Sequence, residues 1–133
     1  MKGSHFFFST VLISSLISGC NGNGPVNVDW EIVAGKVIGQ EDCNRIDSLN
    51  AWLITLMPAL PKPYGNSITF KGKSYSNVVK SYNLNPQARD TSKTYVFWFY
   101  QEDAVPQPVC DSTASALSKV PQIRIKDISL KAQ

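Results

Sequence analysis

Beyond residue 27 the chain alternates short runs of β-branched and aromatic residues with stretches rich in Gly, Pro and Asn, a spacing that predicts strands and turns. Residues 29–39 (DWEIVAGKVIG) form the first predicted strand, with Gly35 and Gly39 placed for a bend or bulge. Over residues 50–57, Trp52, Ile54 and Leu56 share one face and Leu53, Thr55 and Met57 the other, so both faces are apolar; Pro58 ends the run. A Pro-rich loop (58–66) follows. Residues 68–70 and 74–76 then flank Lys71-Gly72-Lys73, a hairpin turn, and residues 77–84 make the next strand. Asn85-Pro86 supplies an N-cap and a proline at the first helical position, which predicts a single helical turn through Ala88. Residues 94–101 (TYVFWFYQ) are the strongest strand, with Tyr95, Phe97 and Phe99 alternating with Val96, Trp98 and Tyr100. One of these faces must fill a core. The other is expected to lie under the 58–76 insertion, the alternative being an open patch for a glycan, peptide or protein. Pro106 and Pro108 break the chain before Cys110, residues 112–119 suit a short helix, and residues 122–130 alternate again with a phase slip near Asp127.

Five main strands, a small helical element between the third and fourth, and a glycine-bearing first strand resemble an OB-fold barrel over residues 28–131. The fold expected is therefore all-β, a small five-stranded OB-like barrel with one or two helical turns; the extra hairpin near Lys71 keeps a small β-sandwich as the alternative. The resemblance implies that the loops holding Cys43 and Cys110 lie at one end. It also implies a ligand cleft formed by those loops and the second and third strands. Such a cleft would present residues 43–47 and 105–110, whichever of Trp52 and Tyr82 points outward, and Arg45 as a polar contact.

The N-terminus reads differently. A basic Lys2, the twelve-residue apolar run 6–17 and small residues before a cut site describe a secretory signal peptide, too short for a bilayer span of about 20 apolar residues. Ile17-Ser18-Gly19-Cys20 resembles the lipobox of bacterial lipoproteins. That resemblance implies cleavage before Cys20, lipidation of its thiol with diacylglycerol and further acylation, and attachment to a membrane. The expected organisation is a signal peptide over 1–19, a lipidated cysteine and flexible tether over 20–27, and a β domain over 28–133. A coil of seven residues such as 21–27 (NGNGPVN) spans on the order of 15 Å. No acidic run follows Cys20 and Asn21 is not aspartate, so the expected address is the periplasmic face of the outer membrane.

Export places Cys43 and Cys110 where disulfides persist, and a pair between them is the natural reading. Closing that loop would remove about 4 kcal/mol of unfolded-chain entropy in the simplest account.

Composition and charge narrow the functions. The 133 residues are 43% hydrophobic and 17% charged, too apolar for disorder and enough for one domain. Loss of Lys2 with the signal leaves 12 basic against 10 acidic side chains, a formal +2, with no basic run, so no nucleic-acid partner is expected. The one histidine, His5, also leaves with the signal. The mature chain then has no Ser-His-Asp or Cys-His system and no imidazole metal ligand, and it lacks Ser-x-x-Lys and Gly-rich phosphate motifs. Carboxylates cluster locally at Asp29 and Glu31, at Glu41, Asp42 and Asp47, and at Glu102 and Asp103, where they read as solvated loop charges. The 42–47 segment lacks the glycine and bidentate glutamate of a calcium loop. The expectation is a non-enzymatic, membrane-tethered binding or scaffold module without cofactor or metal, whose partner is a protein, peptide or glycan. A carbohydrate-active enzyme using paired carboxylates is the rival and a nucleic-acid-binding OB module the more distant one.

Overall fold

A computed structural model describes residues 28–57, 63–102 and 115–132. The signal peptide, Cys20, the tether and Cys110 lie outside the described residues. Strands β1 (Glu31–Gln40), β2 (Trp52–Leu56), β3 (Asn66–Phe70), β4 (Lys73–Ser81), β5 (Tyr95–Gln101) and β6 (Ile123–Leu130) form one sheet in the order β3-β4-β2-β1-β5-β6. Every neighbouring pair is antiparallel. Three-residue 3-10 turns at Asp47–Leu49 and Pro86–Ala88 and a four-residue helical turn at Ser115–Ser118 complete the described elements.

The expected five strands are six. Residues 74–76 and 77–84, expected as separate segments, fall largely in one strand that runs through Asn77 with its backbone at φ 52°. Residues 66–70 pair with its first half as a sixth strand. Their hairpin closes on Lys71 (φ 50°) and Gly72 (φ 76°), the two positive values a type I′ turn demands. The sheet is also not closed. It curls until β4 and β6 meet in a single parallel bridge, Lys80 to Gln122, where the Lys80 N–H donates to the Pro121 carbonyl at 2.9 Å. Closure stops there because β3 already occupies the outer edge of β4 from Lys73 to Val78.

The main core fills the side toward which the sheet curls. Val33, Val37, Ile54, Leu56, Val79, Tyr95, Phe97, Phe99, Ile123 and Ile125 belong to it, with Leu84 and Ala88 of the connection to β5. Asn85 caps that connection as its sequence predicts, its side chain accepting the Gln87 N–H at 3.0 Å. A second cluster of Leu53, Ile68, Phe70, Val78 and Val120 lies on the other face of β2 and β4. Gly39 makes this cluster possible. It sits at a bulge in β1 with φ 151°, and a Cβ there would lie 2.7 Å from the Phe70 ring. Among the described residues no such cluster covers the face of β1, β5 and β6 away from the main core, and its side chains meet solvent in part.

Candidate binding surface

Cross-strand register builds this surface. Along β5, Tyr95, Phe97 and Phe99 are buried, and Val96, Trp98 and Tyr100 stand half-buried on the opposite face. Ile32 is directly opposite Trp98, and Ala34 opposite Val96, which extends the face across β1. Trp30, just before β1, is 39% exposed and Ile32 67%. The Trp30 ring meets Trp98 edge-on at 5.9 Å between centroids and Tyr100 at 4.9 Å. An aromatic array that would bury itself in a core is thus held half in water.

A lysine sits inside it. In β6 the register jumps from Ile125, opposite Phe99, to Asp127, opposite Trp98, so Lys126 is the extra residue of a bulge. The bulge aims its ammonium at the aromatic face, 3.9 Å from the Trp98 ring centroid and 4.8 Å from that of Trp30. Cation–π attraction at a partly exposed site contributes about 0.5–1 kcal/mol per pair, enough to bias the rotamer of a long side chain. No described carboxylate forms an ion pair with Lys126, whereas neighbouring Arg124 is bound to Glu102 at 3.2 Å. At the opposite end of the same three strands, Lys36, Lys93, Thr94 and Lys131 line an open depression of about 550 Å³. Lys93 there is paired with Asp90 at 3.1 Å.

Of the residues expected to line a cleft, 105–110 lie outside the described residues, and the others are placed as follows. Arg45 is exposed. Trp52 packs against the main core, with the Arg89 guanidinium 4.9 Å from its ring. Because Trp52 pairs with Ser81, the next residue, Tyr82, falls on the other side of the sheet. Its hydroxyl donates to Glu41 Oε1 at 3.4 Å, an oxygen that also accepts the Ala51 N–H at 2.8 Å. Burial first, then the charge and hydrogen bond of Glu41, push the Tyr82 hydroxyl up to about 12. Lys80, only 1% exposed, donates to the Leu117 carbonyl at 3.1 Å. Its pKa is lowered by burial, against the opposing pull of Glu41. This cluster ties β4 to the ends of β1 and β2 and to the helical turn.

Two further carboxylates, Glu31 and Glu102, are similarly committed. Glu31 accepts the Tyr64 hydroxyl at 2.9 Å, and Glu102 engages Gln122 at 2.8 Å as well as Arg124. In the 42–50 segment, Asn50 organises the backbone by accepting the N–H groups of Cys43 and Asn44. Cys43 is disulfide-bonded, and Cys110, its expected partner, is outside the described residues.

Sequence reading placed Lys126 outward without joining it to an aromatic face, and it missed Trp30 and Ile32 as surface residues. A signal existed: positions 30, 32, 34 and 36 share one parity, and Lys36 among them marks the solvent side of β1. No protein-family model, curated protein or solved structure matches this chain.

Proposed function

We propose that the chain is a bacterial lipoprotein, lipidated at Cys20 and held on the periplasmic face of the outer membrane, whose β domain is a non-enzymatic binding module. The observation that carries the binding role is the half-exposed array of Trp30, Ile32, Trp98 and Tyr100 around the Lys126 ammonium. Contiguous apolar surface rimmed by cations is costly to leave in water and marks interaction sites. The domain reads best as an OB-like fold carrying one additional edge strand. Its order β4-β2-β1-β5-β6, the parallel touch between β4 and β6, and the turn at Pro86–Ala88 between β4 and β5 support that reading. The binding face then lies outside the barrel wall, away from the cleft such barrels commonly use.

One experiment addresses both halves. A photo-crosslinking residue is placed at Ile32, on the aromatic face, or at Lys71, on the exposed hairpin turn, in intact cells expressing either the wild-type chain or Cys20→Ala. The expected result is acyl labelling of the wild-type chain alone and discrete adducts from position 32 but not from position 71. Lipid labelling that survives Cys20→Ala refutes the anchor, and an absence of adducts from position 32 refutes the binding face.

A further inference from the structure

The place where the chain enters the fold says what this face meets. Residue 28 begins the described domain and Trp30 is already part of the aromatic face. Under the lipoprotein reading, on which this inference rests, seven residues separate Cys20 from Val28. Such a coil spans on the order of 15 Å. The tether therefore delivers the Trp30 end of the face to the bilayer surface, and an effective concentration in the millimolar range follows from so short a link. The residue types fit that neighbour. Tryptophan and tyrosine settle at the membrane–water interface, where an apolar ring and one polar atom both find partners. Lysine beside them keeps its stem along apolar surface and its ammonium among phosphates.

We infer that the Trp30, Ile32, Trp98 and Tyr100 face, with Lys126, docks the domain flat on the phospholipid headgroup layer of the membrane that holds its anchor. The partner is a phospholipid surface, with anionic headgroups drawing Lys126. Ion-pair geometry supports that choice: Lys126 is held by two indoles and by no described carboxylate, so its charge is available to a phosphate, while Arg124 is already engaged by Glu102.

Native tryptophans provide the test. The purified protein is mixed with excess vesicles of phosphatidylethanolamine and phosphatidylglycerol carrying brominated acyl chains, which quench indole fluorescence only on contact. Trp52, packed against the main core and stacked on Arg89, is the internal reference. Quenching is expected in the wild-type chain, retained in Trp52→Phe and lost in the Trp30→Phe/Trp98→Phe double variant, whose conservative changes keep the ring packing. Lys126→Glu, at an exposed position, changes the charge by two and should weaken partitioning by roughly 25-fold, since each charge near an anionic surface is worth about a fivefold step. Wild-type quenching that is absent, or equal in the double variant, overturns the inference. Intact mass and flotation of the same sample report acylation separately. If Cys20 carries no lipid the anchor reading fails by itself, and excess vesicles still decide whether this face meets a bilayer.

Discussion

Replacing Asn77 by alanine tests how one side chain holds the strand that sequence reading divided. The Asn77 Oδ1 atom accepts the N–H groups of Tyr64 and Gly65, both at 2.8 Å, and its Nδ2 donates to the Leu56 carbonyl at 3.2 Å. The same residue holds φ 52°, a conformation asparagine tolerates and alanine resists. Each of the three half-buried hydrogen bonds contributes about 1 kcal/mol net, and the left-handed backbone costs a β-carbon residue about 1–2 kcal/mol, so Asn77→Ala is expected to lose about 4–5 kcal/mol. Two further substitutions separate the contributions. Asn77→Gly removes the bonds but relieves the backbone, and it should recover about 1 kcal/mol relative to alanine. Asn77→Asp keeps an acceptor for both N–H groups and loses only the donor to Leu56, with an expected cost of about 1 kcal/mol or less. Equilibrium urea unfolding measures all three, as a shifted midpoint at unchanged slope. The reasoning is refuted if alanine falls within about 0.5 kcal/mol of wild type, the range of ordinary surface changes, or if glycine is no better than alanine. The loss should also reach the binding face. Tyr64, freed from Asn77, would loosen its ring from Phe99, 5.6 Å away, and its hydroxyl from Glu31, the residue that follows Trp30.

Two other changes have defined outcomes. Tyr95 is buried with its hydroxyl unpartnered, so Tyr95→Phe should leave stability unchanged or raise it by about 1 kcal/mol, read from the thermal midpoint; a clear loss would mean the hydroxyl finds a bond after all. Tyr82 ionises near 10 in an unfolded chain and at about 12 in the fold, so between those values the unfolded chain sheds a proton that the native one keeps, and stability must fall as pH rises. Tyr82→Phe should flatten that stretch of the stability curve, and equal slopes in both proteins would dismiss the link between Tyr82 and Glu41.

Local chemistry made much of this fold legible in the sequence. The hairpin at Lys71–Gly72, the bulge at Gly39, the cap at Asn85 and the slip beside Asp127 all announce themselves because each needs a particular residue within a few positions. The continuity of β4 through Asn77 was not legible in this way. The approach of Tyr64 and Gly65 from another part of the chain, which no local pattern shows, fixes Asn77 within a continuous strand. The site was harder to read. Alternation along β5 shows two aromatic faces, but which of them is covered depends on partners across strands, and here the covered face is that of Phe97 rather than Trp98. The expected cleft called for whichever of Trp52 and Tyr82 points outward; the two lie near each other at a strand end on opposite sides of the sheet, and residues 105–110, which were to complete that cleft, lie outside the described residues.

The position of β1 in the middle of the sheet has a mechanical meaning. It is laddered to β2 from Gly35 to Gln40 and to β5 from Glu31 to Gly35, so the strand first reached from the N-terminus is an interior one. A pull on the preceding segment does not peel a loose edge. It loads the ladder to β5 at its first residues and must then shear the ladder to β2, while the Gly39 bulge, wedged against Phe70, resists sliding in register. Tension is thereby spread over hydrogen bonds strained together rather than broken one by one, and the domain's grip on whatever lies upstream is set by its best-secured strand.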